Sequence, residues 1–163
     1  MTRLMTRRTM LATSAAAAGL IAAPAIVRAA TTHEVQMLNQ DPNDRRLRNV
    51  YSPRILQVMP GDTVRFLPTD KGHNSVTVKG MTPDGVDGWN GKINQEVSFT
   101  AETPGLYGHQ CTPHAAVGMV GLIIVEGDGM MANLEAAQGV RQRGRAKQAW
   151  DEIWAEVAEM GLS

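Results

Sequence analysis

Between His33 and Glu126 apolar and polar positions alternate in short runs separated by clusters of Gly, Pro, Asn and Asp. That is the pattern of half-buried strands joined by turns. The predicted strands are 33–38, 55–58, 63–67, 75–78, 97–100, 106–109 and 120–125, with room for an eighth. Pro60-Gly61-Asp62 and Thr103-Pro104-Gly105 mark two of the turns. Such short strands predict an all-β sandwich or barrel. No stretch before residue 130 has the length and period of a crossover helix, so a parallel sheet is not expected.

The period changes after Gly129. Residues 133–138 predict a short helix, with Asn133 as N-cap and Gly139 just past its end. A basic link follows, Arg141-Gln-Arg-Gly-Arg145. Ala146, Ala149, Trp150, Ile153, Trp154, Val157 and Gly161 then fall at helical spacing. This stripe predicts a helix packed on the sheets. Its polar side carries Asp151, Glu152, Glu156 and Glu159, which an anionic membrane would repel.

The amino terminus departs from both patterns. Arg7-Arg8 precede an uncharged, Ala-rich run from Leu11 to Val27, and Val27-Arg28-Ala29 offers small residues for a peptidase. Residues 1–29 therefore predict a cleaved export signal of the twin-arginine type. Formal charge is balanced, 16 basic against 16 acidic. Cleavage after Ala29 leaves 12 basic and 16 acidic groups, a mildly acidic exported chain. Nothing in this balance points to nucleic acid, and no membrane contact is expected after cleavage. The expected organisation is the signal at 1–29, a sandwich at 30–127 and a helical extension at 128–163. The expected location is the periplasm.

One cysteine excludes an intrachain disulfide, and a lone exported thiol calls for another explanation. Its context is Gly108-His-Gln-Cys111-Thr-Pro-His114-Ala-Ala-Val-Gly-Met119, a Cys-x2-His-x4-Met spacing where a strand ends and another begins. Lys71-Gly-His73-Asn74 lies in a separate loop. Two imidazoles, a thiolate and a thioether can therefore meet at one end of a sandwich. Copper suits this set, because Cu(I) takes soft sulfur and imidazole serves both oxidation states. Zinc with His73, Cys111, His114 and a fourth donor is the alternative metal, although thioether is a poor zinc ligand. Position gives three neighbours supporting roles. The Asn74 backbone N–H can donate to the Cys111 sulfur while its side chain ties the two loops. Thr112 can assist, and Pro113 stiffens the loop. His33, His109 and the Met130-Met131 pair read as structural.

These residues resemble a known family. Val35-Gln-Met-Leu-Asn39, Pro60-Gly-Asp-Thr63, Pro68-Thr-Asp-Lys-Gly-His-Asn74, Lys92-Ile-Asn94, Cys111-Thr-Pro-His114 and Gly118-Met-Val-Gly121 are similar to the pseudoazurins, blue-copper proteins of the cupredoxin superfamily. Lys79-Gly-Met81, Pro83-Asp-Gly85 and Asn133-Leu-Glu-Ala136 extend the likeness over nearly all of the chain after residue 30. The resemblance implies an eight-stranded Greek-key sandwich with two C-terminal helices. It implies one type 1 copper held by His73, Cys111, His114 and Met119. It also implies a one-electron carrier, not an enzyme, that meets a copper nitrite reductase or a cytochrome weakly and transiently.

Two departures bear on docking. Pseudoazurins display lysines around the exposed ligand; Lys71, Lys79 and Lys92 remain, but Gln110 precedes the cysteine. The first loop is long and carries Arg45, Arg46 and Arg48, which are expected to replace part of the missing charge. A copper carrier or store is the alternative function. It predicts exchangeable Cu(I) and no rigid Cu(II) site.

Overall fold

The computed structural model describes residues 28–162. The predicted signal therefore lies outside the described residues except for Arg28 and Ala29. Eight strands form two four-stranded sheets. They are β1 (Thr32–Gln40), β2 (Arg48–Ser52), β3 (Ile55–Val58), β4 (Asp62–Leu67), β5 (Val76–Thr77), β6 (Val97–Ala101), β7 (Gly105–Gln110) and β8 (Val120–Val125). The strand orders are β2-β1-β4-β6 and β3-β8-β7-β5.

The alternation read from the sequence decides which side chains fill the space between the sheets. Val35, Met37, Val64 and Phe66 come from the first sheet, and Tyr107, Ile123 and Val125 from the second. All are buried. Both faces of β8 are covered, which explains its unbroken apolar run.

A short 3-10 turn, Ala115–Val117, sits between β7 and β8. Helices α1 (Leu134–Gly139) and α2 (Gly144–Glu159) close the chain. Ala146, Trp150, Ile153 and Val157 of α2 lie against Leu106, Leu122 and Ile124 on the outer face of the second sheet. Gly108 permits this approach: a β-carbon there would stand 2.5 Å from Met81 Sδ and 2.9 Å from the Trp150 ring. Among the described residues no helix is long and apolar enough to cross a membrane.

Three local expectations are corrected. The sandwich contains parallel pairs, β1 with β4 and β3 with β8. No crossover helix is required, because the chain between β1 and β4 travels through β2 and β3 in different sheets. Strand β2 fills the place left for an eighth strand, although Arg48-Asn-Val-Tyr-Ser52 lacks strict alternation. The predicted strand 75–78 contracts to two residues as the chain turns toward His73. Asn133 precedes α1 without a side-chain cap, and Gly139 is helical. The Asn133 amide instead pairs with the backbone of Leu106, accepting at 3.0 Å and donating at 2.8 Å.

Candidate metal centre

Strand β7 alternates its side chains between two environments. Tyr107 and Cys111 face the interior with His109 between them, while Leu106 and Gly108 face α2. Cys111 thus arrives at the end of β7 with its sulfur directed into the sandwich. The backbone then curls around it. The N–H groups of His114 and Ala115 donate to the Cys111 carbonyl at 3.1 and 2.7 Å. Gly118, with φ +98°, ends the turn in a left-handed conformation that a side chain resists. This lets Met119 return antiparallel to Cys111, whose N–H donates to the Met119 carbonyl at 3.0 Å.

His73, Cys111 and His114 converge on one point. The two Nδ1 atoms are 3.1 Å apart, and Sγ lies 3.8 Å from that of His73 and 3.5 Å from that of His114. These are the one group of three or more metal-capable side chains gathered together among the described residues. His73 and Cys111 are buried, whereas His114 is partly exposed.

The orientation of His73 is fixed from behind. Its Nε2–H donates to Asn39 Oδ1 at 2.9 Å, leaving the Nδ1 lone pair free to face the sulfur. The N–H of Asn39 in turn donates to Asp70 at 2.7 Å. Burial, reinforced by His114, holds the His73 imidazole below its ordinary pKa and so keeps it neutral. Burial pushes the Cys111 thiol up, partly offset by backbone N–H groups of Asn74 and His114 that donate to the sulfur. Two nitrogen lone pairs and a sulfur this close repel unless a cation or proton lies between them. The donor set therefore fits a soft or borderline metal ion.

Asn74 and its surroundings bind the loops together. Its Oδ1 accepts from the Thr112 N–H at 2.8 Å, and its amide donates to Thr112 Oγ1 at 3.0 Å and to the Gly91 carbonyl at 2.9 Å. Tyr51 donates to the Asn74 carbonyl at 2.7 Å. A third loop joins through Asn94: its N–H donates to the His73 carbonyl and its side chain accepts from Gly72.

Met119 is buried in the same core cluster as Cys111. Pro113 is exposed at the tip of the loop beside Ala116 and Val117, which is 47% exposed. Lys71 and Lys92 are exposed on the two loops that hold His73. Lys79 lies farther along, past Val78, which pairs with Gly108. Arg45, Arg46 and Arg48 are exposed in the β1–β2 loop; Arg46 is engaged by Asp44 at 2.8 Å. Arg48 and Val117 both line one groove of about 520 Å³.

Sequence reasoning missed Asn39, Tyr51 and Asn94. The His73–Asn39 contact joins the end of β1 to the loop between β4 and β5, which no local spacing connects. It also missed Ile93, exposed beside Lys92, which adds to the apolar surface at this end. His109, read as structural, is buried beside Tyr51 and Phe66 at ring separations of 4.5 and 4.8 Å.

Residues 35–126 match the family model of copper binding proteins, plastocyanin/azurin family. Among curated relatives, the chain is similar to pseudoazurin of Paracoccus pantotrophus, 42% identical over 147 residues, covering 90% of this chain and 96% of the relative. Pseudoazurin of Methylorubrum extorquens is 38% identical, with 88% and 94% covered. Among solved structures, a pseudoazurin from Methylobacterium extorquens AM1 superposes with a TM-score of 0.70 at 40% identity, covering 77% of this chain and 98% of that one. A Sinorhizobium pseudoazurin gives 0.72 at 42% identity, with 78% and 96% covered.

Proposed function

Since the chain belongs to the pseudoazurins, blue-copper electron carriers that are not enzymes, we propose that it works as a periplasmic shuttle delivering single electrons to a denitrification enzyme such as a copper nitrite reductase. The observation that carries this reading is the convergence of the His73 and His114 Nδ1 atoms on the Cys111 sulfur.

His73, Cys111 and His114 would hold the copper, with Met119 as a fourth donor. Copper there supplies a one-electron Cu(II)/Cu(I) couple. The protein's part is to keep the donors in place in both oxidation states. Asn39 holds the His73 ring, Asn74 locks the Cys111 loop to the His73 loop, and Gly118 sets the return of Met119. Backbone N–H donation to the Cys111 sulfur withdraws electron density and favours the reduced state. A store would need an exchangeable site; a buried sulfur clamped by three loops opposes exchange.

His114 is the ligand that reaches the surface. Its ring edge would meet the partner through the apolar surface of Pro113, Ala115, Ala116 and Val117, now joined by Ile93. Around that surface Lys71, Lys92, Arg45 and Arg48 would steer an acidic partner. The contact would be small and short-lived, as redox encounters are. Arg46 is paired with Asp44, which offsets its charge in this steering.

Residues 1–29 would direct export by the twin-arginine route and be removed after Ala29. The test is electron transfer from the reduced protein to purified copper nitrite reductase, followed by nitrite consumption, beside transfer to a c-type cytochrome. Transfer to the cytochrome alone would move the assignment to that partner. Transfer to neither, with ready loss of Cu(I), would replace the shuttle by a store.

A further inference from the structure

Asp62 is a carboxylate with no solvent exposure at the start of β4, outside the metal centre. Five donor atoms converge on it. Arg28 donates through Nη1 at 2.6 Å and Nη2 at 3.1 Å, Thr31 N–H at 2.8 Å, His33 Nε2–H at 2.9 Å and Met59 N–H at 3.0 Å. Arg28 is the one permanently charged partner, and it lies on the leader side of the expected cleavage point. Removing it would leave the carboxylate without its one fixed counterion, an expensive state wherever water does not take its place.

Cleavage also creates a replacement. Hydrolysis of the Ala29–Ala30 bond consumes one water, leaves a carboxylate on Ala29 and an amine on Ala30, and the amine takes a proton at neutral pH. The Thr31 N–H already touches Asp62 Oδ1, and the Ala30 nitrogen is a single residue away, within about 3.6 Å of chain. The Thr31 carbonyl is held by the Thr63 N–H at 2.9 Å, so the strand start cannot drift from the site. We propose that Asp62 is a receptor for the new α-ammonium group of Ala30, which takes over from the Arg28 guanidinium when the leader is removed. This conserves the charge pair and fastens β1 to β4 in the processed protein. The proposal rests on the export reading above, but not on the identity of the metal or of the redox partner.

The groups facing this position are Asp62, His33 and, more distantly, Glu126, which also acts on Arg28. With a carboxylate at contact distance, the amine should titrate about one unit or more above its ordinary 7.7–8.0. A raised folded-state value means that stability is fully present below the unfolded value and is lost as pH rises through the folded one.

The experiment uses the copper-loaded protein recovered after export, with mass spectrometry to locate its first residue and NMR to titrate the Ala30 amine. Thermal melts from pH 7 to 10 compare it with a chain beginning at Arg28, whose guanidinium does not titrate in that range. The expected result is a raised amine pKa and a melting temperature that falls more steeply with pH in the processed chain than in the chain beginning at Arg28. Asp62→Asn returns the amine to its ordinary value; where that variant does not fold, the Arg28-start comparison decides. An amine that titrates normally, identical pH curves for both chains, or an exported chain that retains Arg28 or begins beyond Thr31 would overturn the proposal. The visible copper band, recorded on the same samples, reports the shuttle reading separately.

Discussion

Asn74 and Thr112 stand 38 positions apart and are joined by two hydrogen bonds, Thr112 N–H to Asn74 Oδ1 at 2.8 Å and Asn74 Nδ2 to Thr112 Oγ1 at 3.0 Å. The pair couples the residue after His73 to the residue after Cys111. Each metal-facing side chain is thereby held by its neighbour's clamp. Asn74→Ala keeps the backbone N–H that donates to sulfur but removes both side-chain ties. We expect copper affinity to fall about 10- to 100-fold, measured by competition with a chelator. An unchanged affinity would mean that the loops hold their spacing without the clamp.

Asn39 acts on the opposite edge of the site. Asn39→Leu removes the acceptor for His73 Nε2–H and frees the ring to rotate. The expected outcome is a loss of roughly tenfold or more in copper affinity with little change in the fold, read by the same chelator competition and by circular dichroism.

Much of this was legible in the sequence, for a physical reason. Cys111, His114 and Met119 are close in the chain, and a strand end followed by a tight turn leaves few ways to arrange them. His73 was marked by its neighbours Gly72 and Asn74. The alternating runs 33–38 and 63–67 are strands whose Val35, Met37, Val64 and Phe66 fill the core, and the Trp150–Ile153–Val157 stripe does lie on the second sheet. What the sequence hid depends on pairing between distant strands. Strand β2 carries only Val50 and Tyr51 as apolar residues, so its place beside β1 follows from tertiary pairing. The parallel pairs and the Asn39–His73 contact are likewise products of topology. Asn133 fits a cap by position; in the fold, the backbone edge of Leu106 that β5 does not reach competes for the same amide and wins.

Arg48, Lys71 and Lys92 carry the docking account. Replacing all three by Ser should lower the rate constant for reduction of the partner on the order of tenfold at low salt and flatten its salt dependence. Removing Asp44 and Arg46 together, as Asp44→Asn with Arg46→Ser, should leave both unchanged, because that pair carries no net charge. Stopped-flow kinetics across ionic strength reads both variants.

His109 makes acid stability measurable. Complete burial lowers its pKa to about 3, so the folded protein keeps it neutral while the unfolded chain protonates near 6.5. The unfolded state then binds more protons between those values, and stability falls as pH drops through that window. Its contribution is roughly 3 kcal/mol between pH 6.5 and pH 4. Urea unfolding of the metal-free protein should show that slope, and His109→Gln should flatten it by about that amount. The ligand histidines are common to both chains and cancel in the comparison.

Trp150 tests the helical cover. Its ring is buried against Gly108 and Met81 and stacks on Trp154 at 5.3 Å. Trp150→Ala should cost about 3–5 kcal/mol in urea unfolding, the range for emptying a buried aromatic site. The ring covers the outer face of the second sheet, whereas Cys111 belongs to the core between the sheets, so the colour of the folded variant should change little.

The central claim is that the Cys111 sulfur, flanked by two histidine Nδ1 atoms, holds copper as a thiolate in a rigid redox site. The most direct test is the visible spectrum of the protein after Cu(II) addition, then after ascorbate, then after reoxidation. The account predicts an intense blue or green band that bleaches and returns, and that is absent in Cys111→Ser. A colourless protein that binds one metal tightly, or a band that survives Cys111→Ser, would contradict it.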